Sequence, residues 1–381
     1  MAARAARLRA EGKSILSLTA GEPDFRPPAC AEEAAMQAIR DGRGRYTAAA
    51  GIVELREAVA DTLVREAGLP YRADQIVVCN GAKIALAQAI LALVERGDNV
   101  LLPTPCWTSY EEMVRLAEAE PRLVACGADG LPRVEDLEAA RDDRTTMLLL
   151  NTPCNPTGAV YPEETLVSVG RWALEHGIRV MSDEIYAALV YGEARHLSPL
   201  AVVPELQQTG IWVGGMSKAY AMTGWRMGFL AAAPDVVEAV STMQSQLASS
   251  ANAISQHASV AALRGGDEDR ERMRATFEAR RDLVVERLHS IDGLRFPEPR
   301  GAFYVLADIS PWLGRTDPDS GRTVESGDDF VELLLEQDLV ALVPGSAFAA
   351  PHCVRLSFAA SEDVLETALD RFAARLASLK A

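Results

Sequence analysis

The chain has 381 residues, 49% of them hydrophobic, which allows two domains or one large domain with a smaller satellite. Its formal net charge of −16 excludes broad electrostatic attraction to nucleic acid or to an anionic membrane. Six cysteines without CxxC or metal-ligand spacing, and no apolar run approaching the ~18 residues of a membrane span, point to a soluble cytoplasmic protein with reduced thiols and no metal centre.

In chain order, seven short apolar runs read as strands: QIVVC (75–79), NVLLP (99–103), RLVAC (122–126), TMLLLN (146–151), IRVMSD (178–183), IWVGG (211–215) and GFLAAA (228–233). Between most of them lie segments such as GAKIALAQAILALVERG and PEETLVSVGRWALEHG, with apolar residues at helical spacing and a closing glycine. Strands apolar at every position belong inside a mostly parallel sheet covered by helices on both faces, so the fold class is α/β. From DEDRERMRATFEARRDLVVERLHSI onward the texture changes to one long charged helix, a few mixed strands and a final helix, SEDVLETALDRFAARLASLK. These predict a large domain over residues 21–270 and a small α+β domain formed by residues 271–381 with the N-terminal segment 1–20. No internal repeat or low-complexity linker separates them.

Chemistry-bearing residues gather where these strands end. NGAK (80–83) follows a strand and opens a helix, where free N–H groups and the positive dipole end favour an anion, although glycine before a helix is common. NTPCNPTG (151–158) is turn chemistry, but a bland turn does not explain asparagines at the carboxyl end of a strand, where α/β sheets bind ligands. Asp183 in MSDEIY (181–186) reads either as a helix N-cap or as a carboxylate aimed at a ligand cation. GGMSKAYAMTGWRMGF (214–229) then holds Lys218, one of only four lysines among 38 basic residues. A composition that uses arginine elsewhere keeps lysine where a primary amine is needed, because only that amine can lose its proton and form an imine. An anion-binding helix start, the Asn155 amide, the Asp183 carboxylate, the Lys218 amine and the Arg226 guanidinium together match pyridoxal 5′-phosphate, with its aldehyde, pyridine nitrogen, phenolic oxygen and phosphate.

The order AGEPDF, GAK, CNPTG, SDEIY, SKAYAMTGWRMGF, GAFY and VRLSF resembles the pyridoxal-phosphate aminotransferases of the aspartate aminotransferase fold, fold type I, over nearly the whole chain. The bacterial aspartate and aspartate/prephenate branch is the nearest pattern. The resemblance implies a transaminase working by two ping-pong half-reactions between an L-amino acid and a 2-oxo acid. It makes Lys218 the Schiff-base lysine and proton carrier, Asp183 the partner of the pyridinium nitrogen, and Tyr186 and Asn155 donors to the ring oxygen. Trp107, otherwise an ordinary core tryptophan, stacks on the ring face. The Gly81 and Ala82 N–H groups, Ser217 and Arg226 meet the phosphate. Tyr46 reaches the phosphate of a partner subunit, so a homodimer with shared active sites is implied. Arg355 grips the substrate α-carboxylate, Gly21 brings backbone close to it, and Lys83, beside the cofactor, contacts the distal carboxylate of an acidic substrate.

Three features depart from the family pattern. The stretch STMQSQLASSANAISQ lacks the arginine that the dicarboxylate-specific branch supplies across the dimer. Arg300 in PRGAFY replaces a small or varied residue and meets either a substrate anion or solvent. The lead before AGEPDF is short. These leave two substrate expectations, an acidic amino acid such as aspartate or glutamate, or a specialised 2-oxo acid of a biosynthetic side pathway. A lyase or synthase on the same scaffold would use the same residues, and a regulator would need a basic DNA-binding module, for which no room is expected before residue 20.

Overall fold

The computed structural model describes residues 10–380 together with Arg4, Arg7 and Leu8. Its strands in chain order are β1 (Leu16–Ser17), β2 (Ile76–Cys79), β3 (Asn99–Thr104), β4 (Glu120–Ala125), β5 (Thr145–Asn151), β6 (Arg179–Asp183), β7 (Ile211–Gly215), β8 (Gly228–Ala232), β9 (Tyr304–Asp308), β10 (Val340–Ala341), β11 (Val343–Pro344) and β12 (Cys353–Ser357). β2 to β8 form one seven-stranded sheet in the order β2-β8-β7-β6-β5-β3-β4. All its neighbours run parallel except β8, which is antiparallel to both β2 and β7. The α/β class with a mostly parallel sheet is therefore as the sequence implies.

Inner strands such as β3 and β8 are buried at every residue, because helices cover both faces and leave no wet side. β4 differs. It is one of the sheet's two edges, and its Glu120, Leu123 and Ala125 are exposed, so RLVAC is less enclosed than its apolar run suggests. Pro121 and the charges of Glu120 and Arg122 mark an edge protected against pairing.

β11, β12 and β9 form a separate antiparallel sheet, and β1 pairs in parallel with β10. Helices Asp267–His289, Gly327–Asp338 and Glu362–Ser378 accompany this second sheet, and Phe277, Phe303, Phe330 and Phe372 lie in its core. The N-terminal segment crosses to this core. Leu18 is buried within it, Phe25 packs edge-on against Phe277 at 5.3 Å, and Asp24 forms a two-toothed ion pair with Arg280 at 2.7 and 2.9 Å.

The register fixes what meets at the carboxyl edge of the large sheet. Cys79, Gly228 and Gly215 are aligned across β2, β8 and β7, and Asn151 is level with Asp183 across β5 and β6. Gly81, Arg226 and Lys218 therefore leave neighbouring strand ends. Gly228 permits this approach, since a Cβ there would stand 2.1 Å from the Ala82 nitrogen and 2.2 Å from the Gly81 carbonyl carbon. These are backbone atoms that no rotamer change can move. Gly228→Ala is expected to lower the free energy of unfolding by about 2 kcal/mol or more, measured by urea denaturation. An unchanged midpoint and slope would show that β8 does not need to lie this close.

Candidate active site

The site is built from the ends of these strands and from β12. Gly81 caps helix Ala82–Leu93 with a positive φ of 92°, a backbone state that favours glycine, and a Cβ on it would collide with the Arg226 guanidinium. Arg226 thus lies directly over the helix start, where Nη1 donates to the Thr223 carbonyl at 2.9 Å. Lys218 sits on the short helix Met216–Ala219 that follows β7, and its ammonium donates to the Gly21 carbonyl.

One cavity of about 300 Å³ is lined by Gly21, Ala82, Lys83, Trp107, Asn155, Asp183, Tyr186, Ser217, Lys218, Arg226 and Arg355, together with neighbours that include Tyr110, Asn151 and Tyr304. Of the thirteen residues singled out in the sequence, these eleven line the cavity; Gly81 shapes its floor through Arg226. Tyr46 is elsewhere. It is 89% exposed and borders a separate hollow with Ser250, Ala251 and Asn252. The arginine-free stretch therefore adjoins Tyr46 in this chain. Arg300 is exposed, with its backbone bonded to Gly158 and Tyr191.

Charge is distributed unevenly. Lys83, Lys218, Arg226 and Arg355 all face the cavity, and among the described residues none forms an ion pair with a carboxylate. Arg355 is 6% exposed and lies between the rings of Tyr304 and Phe348, at 4.3 and 4.8 Å. Its polar partners are the Asn155 side-chain oxygen at 2.8 Å and the Thr19 carbonyl at 3.4 Å, while Nε is buried without a hydrogen bond. Burial presses its proton affinity down. With its oxygen committed to Arg355, the Asn155 amide nitrogen remains available as a donor.

Asp183 is 3% exposed, and its oxygens accept from the Tyr110 hydroxyl at 2.7 Å and the Ile185 N–H at 3.2 Å. The second bond is the local capping role that the sequence allows; the first is made by a residue the sequence reading did not select. Burial, against the smaller opposing pull of Tyr110, pushes the carboxyl up to about 6. Tyr186 shares a hydrogen bond of 3.0 Å with Tyr304, and burial raises both phenols. Trp107 presents one ring face to the Lys83 ammonium, 4.6 Å from the centroid. Tyr110 and Tyr304 were not legible as site residues, although Tyr110 lies three residues beyond Trp107 and Tyr304 closes the GAFY motif.

The family profile "Aminotransferase class I and II" matches residues 13–372. The chain is 42% identical over 375 residues to an aspartate aminotransferase of Rhizobium meliloti, covering 98% of this chain and 91% of the relative. It is 41% identical to a bifunctional aspartate aminotransferase and glutamate/aspartate-prephenate aminotransferase of Petunia hybrida, covering 97% of this chain and 78% of that one. The crystal structure of the Rhizobium meliloti aspartate aminotransferase superposes with a TM-score of 0.96 at 41% identity, over 100% of this chain and 95% of the other. 

Lys218 should titrate abnormally. Burial, helped by the positive charges of Arg226 and Arg355 and opposed by Glu22 and Asp183, brings its amine down to about 8. Below that pH the group is protonated and unreactive, and above it the free amine accumulates. Acylation of Lys218 by a limiting reagent in the cofactor-free protein is expected to rise with a midpoint near 8, whereas an ordinary lysine rises near ~10.4. A Lys218 midpoint at the ordinary value would contradict the role of burial.

Proposed function

The chain belongs to the class I and II aminotransferase family and is a pyridoxal-phosphate-dependent transaminase, and we propose that it transfers the amino group of an acidic amino acid, aspartate or glutamate, through the cavity built around Lys218. The observation that carries this reading is the grouping of four unpaired cations around one buried acid, in a chain whose net charge is −16. Such a cavity suits a ligand set with several negative groups and one cationic ring.

The residues fit the cofactor. Asp183 has only neutral donors, so a protonated ring nitrogen supplies the cation it lacks. The missing Cβ of Gly81 lets the Arg226 guanidinium lie against the helix start, so a phosphate there gains both. When bound, pyridoxal phosphate supplies an aldehyde that carries the amino group and a ring that takes up the electron pair left on the substrate carbon.

The remaining roles belong to the protein. Lys218, with its amine near 8, has a usable neutral fraction at neutral pH and takes the proton from the substrate Cα. Asp183 holds a proton at the pyridine nitrogen, and the Tyr110 hydroxyl keeps that carboxylate oriented. The Asn155 amide nitrogen and the Tyr186 hydroxyl donate to the ring oxygen, while Trp107 covers the ring. Arg226, Ser217 and the Gly81 and Ala82 N–H groups hold the phosphate. Arg355 binds the α-carboxylate bidentately, which satisfies its buried Nε. Lys83 receives the distal carboxylate, supported by its exposed ammonium beside Trp107 and by the acidic substrates named for the relatives.

A second copy of the chain completes this scheme, with Tyr46 of each subunit serving the other's phosphate; its 89% exposure in the single chain supports that reading. We also read residues 21–270 as the cofactor domain and residues 1–20 with 271–381 as the smaller one, supported by the separate sheets and cores. Free cysteines throughout, and no helix among the described residues long and apolar enough to cross a membrane, support the cytoplasm as the compartment.

The reaction class is tested by mixing the cofactor-loaded protein with L-aspartate and no oxo-acid acceptor. One equivalent of 2-oxo acid per subunit and no ammonia are expected; continuing ammonia release would instead indicate elimination. Lys83→Ala is expected to raise KM for aspartate and glutamate by about 10- to 100-fold, the loss of one charged contact, with neutral amino acids changed about twofold or less. Equal losses for both classes would assign Lys83 to the phosphate.

A further inference from the structure

A second cluster of ligating side chains lies outside the catalytic cavity, at the far end of the small sheet. Asp308 closes β9, Cys353 opens β12, and the two are direct partners across the antiparallel ladder. His352 stands in the turn just before β12. The carboxylate, imidazole and thiol bring one ligand atom each within 4.8 Å of one another. The carboxylate is already oriented, since Oδ1 accepts from the Ser310 backbone N–H at 2.8 Å and from the Ser310 hydroxyl. Its Oδ2, both nitrogens of His352 and the Cys353 sulfur have no hydrogen-bond partner among the described residues, and Asp308 forms no ion pair.

We propose that Asp308, His352 and Cys353 form a three-ligand site for a borderline-soft divalent cation of the zinc class. Thiolate with imidazole selects against hard cations, which take oxygen ligands, and a carboxylate with a thiolate balances a double positive charge. Tetrahedral bonds of about 2.0–2.3 Å imply ligand separations of roughly 3.3–3.8 Å, so closure needs a movement of about 1 Å. The exposed His352, in a turn, is the group able to make it. Its exposure also leaves the fourth position to water. The expectation of no metal, drawn from cysteine spacing, missed this arrangement because Asp308 lies in a different strand from the adjacent pair. A bound cation clips β9 to β12 two residues from Arg355, which shares the face of β12 that carries Cys353.

The test uses the cofactor-loaded protein, freed of metal with a chelator and given one equivalent of Zn²⁺ alone. X-ray absorption is expected to find one sulfur at about 2.3 Å and nitrogen or oxygen ligands near 2.0 Å. Competition with a zinc indicator should show affinity falling about 100-fold or more in His352→Ala and in Cys353→Ser. The bound cofactor's visible absorbance reports that each variant is folded, and His352→Ala, an exposed change, keeps the test valid if Cys353→Ser does not fold. A zinc shell without sulfur, or unchanged affinity in His352→Ala, would overturn the site and indicate binding by surface carboxylates.

Discussion

Four positive groups converging on one cavity repel each other, and the fold has to hold them there with no carboxylate in an ion pair with any of them among the described residues. A unit pair 4 Å apart costs about 1 kcal/mol in bulk water and about 4 kcal/mol at the effective dielectric near a protein surface. Side chains on a flexible loop would relieve such repulsion by turning outward. Here each cation comes from a different rigid element: Lys83 from the first turn after β2, Lys218 from the turn after β7, Arg226 from the approach to β8, and Arg355 from within β12. The neutral acceptors that Arg226 and Arg355 meet orient them without neutralising them, because carbonyl and amide oxygens are dipoles rather than charges. The repulsion is therefore retained until an anionic ligand enters, and it then becomes binding energy.

Asp183 and Glu184 show how neighbouring acids acquire different tasks. Successive residues at the end of β6 face opposite sides of the sheet. Glu184 is saturated: its oxygens meet the hydroxyls of Ser182 and Ser198, the His196 ring and the Trp212 indole N–H, all within 2.6–2.9 Å. That carboxylate has no remaining role beyond holding the loop after β6 against the sheet. Asp183, with two donors and an open side on the cavity, is left short of stabilisation, which is why burial raises its proton affinity. A cation in the cavity would reverse this deficit, which is the stabilisation that the proposed pairing with a protonated ring nitrogen would supply.

Much of this was legible from the sequence, for identifiable reasons. Seven apolar runs gave seven strands because full burial on both faces demands apolar residues at nearly every position, and the scarcity of lysine singled out Lys218. Interactions between distant segments left no such mark. Tyr110 reaches Asp183 across 73 positions, and Tyr304 reaches Tyr186 across 118. Each reads locally as an aromatic residue on an apolar element, the commonest context for a core side chain. The edge position of β4 was equally hidden, since its apolar run differs from the central strands only in its flanking charges. Tyr46 shows the opposite limit: the resemblance assigned it a role that one chain alone has no means of expressing.

The N-terminal segment explains how two sheets with separate cores make one site. Within a few residues, the Thr19 carbonyl meets Arg355, the Gly21 carbonyl meets Lys218, and Asp24 is clamped by Arg280. The Leu18 carbonyl also accepts from the Ser357 N–H on β12, at 2.9 Å, so the segment is fastened to the small sheet while it touches the Lys218 amine of the large one. Both carbonyls are neutral acceptors. A ligand carboxylate is a stronger partner for Arg355 than Thr19, and an amine that has reacted no longer holds Gly21 by a charged hydrogen bond. In the proposed scheme, occupation of the cavity would therefore replace this segment's contacts with contacts through the ligand itself, and the relative setting of the two sheets would become part of what the substrate is bound to.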